Sequence, residues 1–419
     1  MRASTATVHR SGRRAEQAGA VRADRGGPST SSILLAIVAL LCVIGVVMVG
    51  SASEVISIEQ YNTPWAILLR ELMWMGVGLM ALWFSMRLDY GRLRHLRLPL
   101  LLGTFALLLL VLLPGIGVTA EGSSRWIGFS QFRLQPSELM KLALVVFGAD
   151  LIVRRQERGA SHRTIIGPLL LVAVAAAGLI LLQPDMGTAL VIGAIAIALL
   201  FASGVSLGPI FKVLLVGVVA AVVVGLIEPY RRARLLSFLD PTAHASGSGY
   251  QVTQSLIGLG SGHLAGLGLG SGRFKWGSLP NAHTDFIFSV IGEELGIIGA
   301  VAVLALLVGL CWFGLRAAQQ APDRFGTLLG VGLVAWIAAE TFINVGAVVG
   351  LLPVTGIPLP FISFGGSSLV ITMAAAGILV NIARQGAEAR LSSLEHTSSR
   401  AVRRRAAHGA RVAVSSASR

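Results

Sequence analysis

Ten apolar runs, each close to the length of a bilayer span, dominate this 419-residue chain and leave it one kind of fold. They cover roughly 32–52, 65–86, 97–114, 136–153, 165–183, 186–203, 207–227, 286–315, 326–350 and 364–383. About twenty apolar residues in a helix cross the hydrocarbon core of a membrane. A backbone in that core must satisfy its own hydrogen bonds, so each run is expected to be a helix. With 54% hydrophobic and 13% charged residues, the chain could not cover the surface of a water-soluble domain. The expected fold class is an all-α polytopic membrane protein. Its 50 glycines suit helices that approach closely.

The net charge of +14 would suit a nucleic-acid binder if it were gathered in one patch, but it is not. With the N-terminus in the cytoplasm, 25 of the 34 Lys and Arg fall in cytoplasmic segments. The opposite orientation reverses that excess, so the positive-inside rule puts both termini inside. The basic ends then serve as topology anchors against anionic lipid, and no nucleic-acid partner is expected. Residues 1–31 and 387–419, rich in Arg, Ser and Ala, are expected to be disordered cytoplasmic tails flanking a membrane domain over 32–386. The first span carries no convincing small-residue cleavage site and reads as a retained anchor. Cys42 and Cys311 lie inside spans, with no disulfide or metal spacing.

Three outer segments stand out: Gly115–Gln135, a long extracytoplasmic loop over 228–284, and Leu351–Gly366. The long loop holds Arg231, Arg232, Arg234, His263, Arg273, Lys275 and Trp276, and its Gly258–Gly272 stretch either brings backbone N–H groups to a phosphate or is a flexible connection. The loop ends at Asp285, where polar sequence becomes a membrane helix. A carboxylate beside a hydrocarbon wall is a functional-site candidate. Glu293 falls about 80° around the helix from Asp285 and about 12 Å deeper, so the two are not a pair flanking one bond. Glu293 and Glu294 are expected to tie helices together or line a polar cavity.

Gln135-Pro136-Ser137 opens the fourth span and Gln183-Pro184-Asp185 the sixth; proline suits a first helical turn. Those two helices, and the eighth and tenth, begin at the outer face. If their N-termini converge, they form an anion site. Asp185 is either a helix cap or a substrate contact. Lys141 either pairs with Glu138, three residues back, or faces substrate. Arg125 and Arg133 are suited to phosphate, and Arg125 equally to a solvated surface. Glu340 and Asn344 share one helix face and are expected to act as interhelical glue. His283 has no second ligand at metal spacing; a local hydrogen bond is expected for it, and no metal site is assigned to the protein.

These segments resemble one family. Gly122-Ser-Ser-Arg-Trp-Ile-Gly128, Gln135-Pro-Ser-Glu-Leu-Met-Lys141, Gln183-Pro-Asp-Met-Gly-Thr188, Leu279-Pro-Asn-Ala-His-Thr-Asp-Phe286 and the run from Gly350 to Ser368 are similar to the SEDS proteins, the family of FtsW, RodA and SpoVE. The match extends over all ten spans. It implies a SEDS-type ten-helix membrane domain and a peptidoglycan glycosyltransferase, an inverting lipid II polymerase releasing undecaprenyl pyrophosphate outside the bacterial cytoplasmic membrane. The family's essential aspartate falls on Asp285, its fourth-span arginine and lysine on Arg133 and Lys141, and its loop tryptophan on Trp126. Substrate contacts are expected from Arg133, Lys141, Trp126, Arg125, Asp185, His283 and Lys275. Phe364 replaces a tyrosine common in the last motif. The wording around Asp285 leans towards the division branch, FtsW, over RodA, hence towards septal wall synthesis at the division site. The resemblance implies a class B penicillin-binding transpeptidase and other divisome proteins as partners. Any divalent cation (Mg²⁺ or Mn²⁺) would be shared with the substrate pyrophosphate. A lipid II flippase and a non-enzymatic division scaffold are the competing readings. The outer-face clustering of the candidate residues favours the polymerase.

Overall fold

A computed structural model of the chain describes residues 28–120, 123–129, 132–159, 162–227, 232, 238, 249–273 and 279–417. Each expected span is a helix: α1 (Thr30–Tyr61), α2 (Ala66–Arg87), α3 (Leu93–Val111), α4 (Pro136–Glu157), α5 (His162–Leu182), α6 (Met186–Ala202), α7 (Leu207–Ile227), α9 (Ile287–Gln319), α10 (Arg324–Val348) and α11 (Ser367–Ala417). A shorter helix, α8 (Tyr250–Ser261), lies between α7 and α9. Eight of the ten are long and apolar enough to cross a membrane. Of the other two, α6 is apolar but short, and α4 carries Glu138, Lys141 and Asp150 in its length.

The bundle buries α10 and the first part of α11 most completely, whereas α7 buries only Ile210 and Gly225. Large apolar side chains stand exposed around the perimeter, among them Met80, Leu102, Leu171, Phe211, Ile298 and Phe342. Such a surface would be untenable in water and is what a lipid-facing wall requires. Between helices, small residues set the spacing. A Cβ on Gly377 of α11 would lie 2.6 Å from the Leu82 carbonyl oxygen of α2, so only glycine admits this crossing.

Three features depart from the sequence expectations. The outer segment before α4 is an antiparallel meander of β1 (Gly117–Ala120), β2 (Ser123–Phe129) and β3 (Phe132–Leu134). The second departure is a break in α9 at Gly296, which adopts φ 71° and ψ −171°. The glycine-rich segment after α8 fills that break. Leu267 and Gly268 donate N–H to the Glu293 and Glu294 carbonyls, while Ile297 and Ile298 donate to the His263 and Leu264 carbonyls. Broken backbone at membrane depth is tolerated when protein re-satisfies it, as here. The Leu267 and Gly268 amides are therefore spent on α9, a docked arrangement that is neither of the two readings weighed for this stretch, the phosphate cradle or the flexible connection. Third, α11 continues as helix to Ala417, beyond the boundary at 386 where a disordered tail was expected. The Ala- and Arg-rich sequence there has high helix propensity. The N-terminal tail expected over 1–31 lies outside the described residues as far as residue 27.

Candidate active site

The turn that delivers Asp285 is built from its own backbone. Asn281 takes a left-handed conformation (φ 57°), and its carbonyl accepts from the N–H groups of Thr284 and Phe286. Leu279, Ala282 and Phe286 are buried and root the turn in the bundle. Three consecutive carbonyls are then pinned from neighbouring segments. Phe364 N–H donates to His283 O at 3.0 Å, Ser363 Oγ to Thr284 O at 2.6 Å, and Asn344 Nδ2 to Asp285 O at 2.8 Å. The same Asn344 amide donates to Ile357 O at 2.7 Å, so one side chain of α10 joins the Asp285 turn to the 351–366 loop. Asn344 was expected to be glue, and it is glue placed directly behind the carboxylate.

Asp285 itself is half-buried, whereas every residue from Phe286 to Glu294 is buried. It lines a pocket of about 10 Å³ with Asn344, Val354, Thr355, Gly356 and Ile357, close to the least volume that admits one water molecule. Gly356, at φ 75°, lies beside the carboxylate: a Cβ there would be 3.6 Å from Oδ2.

The N-termini of α4, α6 and α11 meet around the same loop. Gln135 N–H donates to Ser367 Oγ at 3.1 Å, and its side-chain amide donates to Asp185 Oδ2 at 3.1 Å. Ser368 Oγ donates to Glu138 Oε2 at 2.9 Å. A Cβ on Gly187 would touch Thr355 and Ile357, which carries α6 to the loop beside Asp285. Convergence of these helix ends is therefore realised. Part of their positive potential is already answered, however. Asp185 is buried and caps α6, its oxygens accepting from the Thr188 N–H at 3.0 Å and the Thr188 hydroxyl at 2.8 Å. Of the two readings of Asp185, the geometry is that of the cap.

Lys141 is likewise enclosed. Its ammonium lies 2.7 Å from Glu138 Oε2, bonds to Glu340 of α10, and sits 4.8 Å from the centre of the Trp336 ring. All three charged side chains are buried. The substrate-facing reading of Lys141 gives way to a buried ion triad joining α4 to α10. Glu138 was the partner foreseen; Glu340, distant in sequence, supplies the second carboxylate.

The β-meander sorts the outer residues by face. Directly opposed residues of an antiparallel pair point the same way, and alternate residues share a face. Gly128 opposes Arg133, so Trp126 and Arg133 emerge on one face, with Arg133 exposed and Trp126 half-buried. Arg125 falls on the other face, where its Nε donates to Gln183 O at 3.0 Å and its guanidinium also reaches Pro184 O. That arginine fastens the α5–α6 turn to the meander. His283 is largely buried, with Nδ1 lacking a hydrogen-bond partner among the described residues, so the local bond expected for it is absent at that atom. Burial pushes its imidazole down to about 4. Lys275 lies outside the described residues. Glu294 accepts from Ser51 Oγ of α1 at 2.7 Å, and Glu293 accepts the Arg273 N–H at 2.5 Å, in keeping with their expected role as ties. Sequence reasoning missed Ser363 and Gly356 individually; their signal was the density of Gly, Pro and Ser between two apolar runs.

Known proteins resemble this chain over most of its length. A family model described as "Cell cycle protein", covering FtsW, RodA and SpoVE, matches residues 31–388. A probable peptidoglycan glycosyltransferase FtsW of Geobacter metallireducens is 42% identical over 350 residues, spanning 84% of this chain and 93% of its own. Stage V sporulation protein E of Bacillus subtilis is 41% identical over 356 residues, 85% of this chain and 97% of its own. Among solved structures, a chain of a peptidoglycan synthase complex that coordinates polymerization and crosslinking superposes with a TM-score of 0.68 at 30% identity, covering 84% of this chain and 96% of that one.

Proposed function

The chain belongs to the FtsW/RodA/SpoVE family of cell cycle proteins, and from that premise we propose that it is a peptidoglycan glycosyltransferase that polymerises lipid II for the division septum. Support for a transferase comes from relatives named as such, and support for division from the same FtsW names. The observation that carries the site assignment is the pinning of three successive carbonyls at residues 283–285, which fixes a half-buried carboxylate at the mouth of a membrane helix.

A sugar hydroxyl is a weak nucleophile and needs a positioned base. In this account the Asp285 carboxylate takes the proton from the 4-OH of the acceptor GlcNAc. The oxygen attacks C1 of the MurNAc on a second lipid-linked molecule, the C1–O bond to pyrophosphate breaks, and the α linkage becomes β-1,4. Undecaprenyl pyrophosphate leaves with the bonding electron pair. Arg133, exposed beside Trp126 on one face of the meander, is suited to the negative charge that develops on the leaving oxygens. Lys141 acts differently in this reading. Held between Glu138 and Glu340, it fixes α4 against α10 and so sets where Asn344 holds Asp285. Among the described residues no three His, Cys, Asp or Glu side chains gather as a metal cage. A divalent cation riding on the pyrophosphate remains part of the proposal and is given no step.

The protein is a multi-pass membrane protein. Both termini cytoplasmic, the Asp285 face outside and a class B penicillin-binding transpeptidase beside it complete the proposal; the likeness to a chain of a peptidoglycan synthase complex supports the last point. Purified protein, with and without that transpeptidase, incubated with labelled lipid II should yield glycan ladders. No ladders under either condition, together with lipid II crossing vesicle bilayers, would replace the polymerase with a flippase. Absence of both would leave a scaffold.

A further inference from the structure

At the end of the molecule remote from Asp285, a buried carboxylate gathers three arginines. Asp150 of α4 lies about 20 Å along the helix from the α4 N-terminus and is 1% exposed. Arg94 and Arg97 of α3 and Arg154 of α4 reach it through Nε at 3.1, 2.8 and 2.8 Å. Their side chains are 31%, 20% and 43% exposed, so the cluster opens to the surface. One arginine would neutralise the carboxylate; three leave two positive charges in excess.

The geometry directs that excess outward. Because each contact uses Nε, the terminal Nη groups remain for other acceptors. Arg97 spends Nη1 on the Arg94 carbonyl at 2.8 Å, whereas the Nη groups of Arg94 and Arg154 have no hydrogen-bond acceptor among the described residues. Arg94 is steadied by the Phe325 ring of α10, 5.4 Å from its Cζ. Directly along α3, Leu98 and Leu102 are exposed, 45% and 63%, and lead from the cluster into the lipid-facing wall. An occupant of this place must be anionic at one end and apolar at the other.

We propose that the Arg94–Arg97–Arg154 cluster, oriented by Asp150, binds the phosphate of an anionic phospholipid in the leaflet opposite the Asp285 face. An acyl chain of that lipid lies along Leu98 and Leu102. Guanidinium forks match phosphate oxygens in pairs. Basic pockets between membrane helices on the cytoplasmic side are where anionic head groups collect. Asp150 is a positioning residue: it makes no contact with the lipid and holds the three Nε atoms so that the Nη groups face it. The site stands apart from the glycosyl-transfer chemistry and does not depend on that reading.

The test is native mass spectrometry of the purified full chain, competing phosphatidylglycerol against phosphatidylethanolamine with matched acyl chains. The wild type should retain one phosphatidylglycerol with a preference of about tenfold or more at low salt, shrinking at high salt. A variant carrying Arg94→Gln and Arg154→Gln should lose most of that preference. Asp150→Asn keeps all three positive charges but loosens their orientation, and should give an intermediate value. If the double variant does not fold, the wild-type competition at two salt concentrations decides by itself. Equal retention of both lipids by the wild type, or an undiminished preference in a folded double variant, would overturn the proposal and leave the cluster a lattice of internal salt bridges.

Discussion

Lys141 and His283 illustrate how much burial decides about a charged residue. Removing Lys141 would leave the Glu138 and Glu340 carboxylates facing each other without their cation. Breaking a buried ion group by deleting one partner costs about 3–5 kcal/mol. Lys141→Met is therefore expected to lower the thermal unfolding midpoint in detergent. Adding Glu340→Gln should restore much of the loss, which a purely substrate-binding lysine would not allow. Burial holds the His283 imidazole near 4, below its usual 6.5. Between those values the unfolded chain binds a proton that the native protein refuses. Stability is thus intact above about pH 6.5 and falls as the pH drops towards 4, by up to about 3 kcal/mol. Unfolding midpoints measured from pH 7.5 to 4.5 should decline more steeply in the wild type than in His283→Gln. Sequence alone revealed the chemistry of these residues and the local Lys141–Glu138 contact, but not the distant partner. Glu340 lies 199 residues from Lys141, and no local spacing encodes such a contact.

At the scale of elements, the ten helices were legible because apolar length is a signal carried by each run on its own. The β-meander was not: its strands are short and interrupted by Gly, Ser and Arg. The break in α9 was also hidden, since a glycine inside an apolar run reads equally well as close packing. Only the arrival of the His263–Gly268 backbone gives Gly296 its meaning. That junction is testable. Gly266 adopts φ 80°, and a Cβ there would lie 2.2 Å from the Glu294 carbonyl oxygen. Strain at positive φ and overpacking each cost about 1–3 kcal/mol, so Gly266→Ala should destabilise the fold by roughly 2–4 kcal/mol. Gly270 also has positive φ but has nothing within 4 Å of its would-be Cβ, so Gly270→Ala should cost less. Equal unfolding midpoints for the two variants would contradict the docking of this loop into α9.

Taken whole, the molecule is an enclosed centre of α10 and α11 with a sparsely packed margin at α7. A membrane-partitioned photolabel should therefore mark α7 around most of its circumference and spare the buried part of α11 over 367–383. Uniform labelling of all ten helices would contradict this arrangement. The candidate site lies at one end, where the starts of α4, α6, α9 and α11 meet the 351–366 loop. An arginine cluster marks the other. That polarity favours chemistry at one membrane surface over passage through the bilayer. It rests in the end on a single carboxylate, and the most direct test removes only its charge. Asp285→Asn keeps the shape of the side chain and the backbone bonds at residues 283–285, so the variant should fold, insert and melt like the wild type. Incubated with labelled lipid II and the partner transpeptidase, it should make no glycan chains while the wild type makes ladders. Ladders of normal length and rate from a folded Asp285→Asn protein would show that the base lies elsewhere.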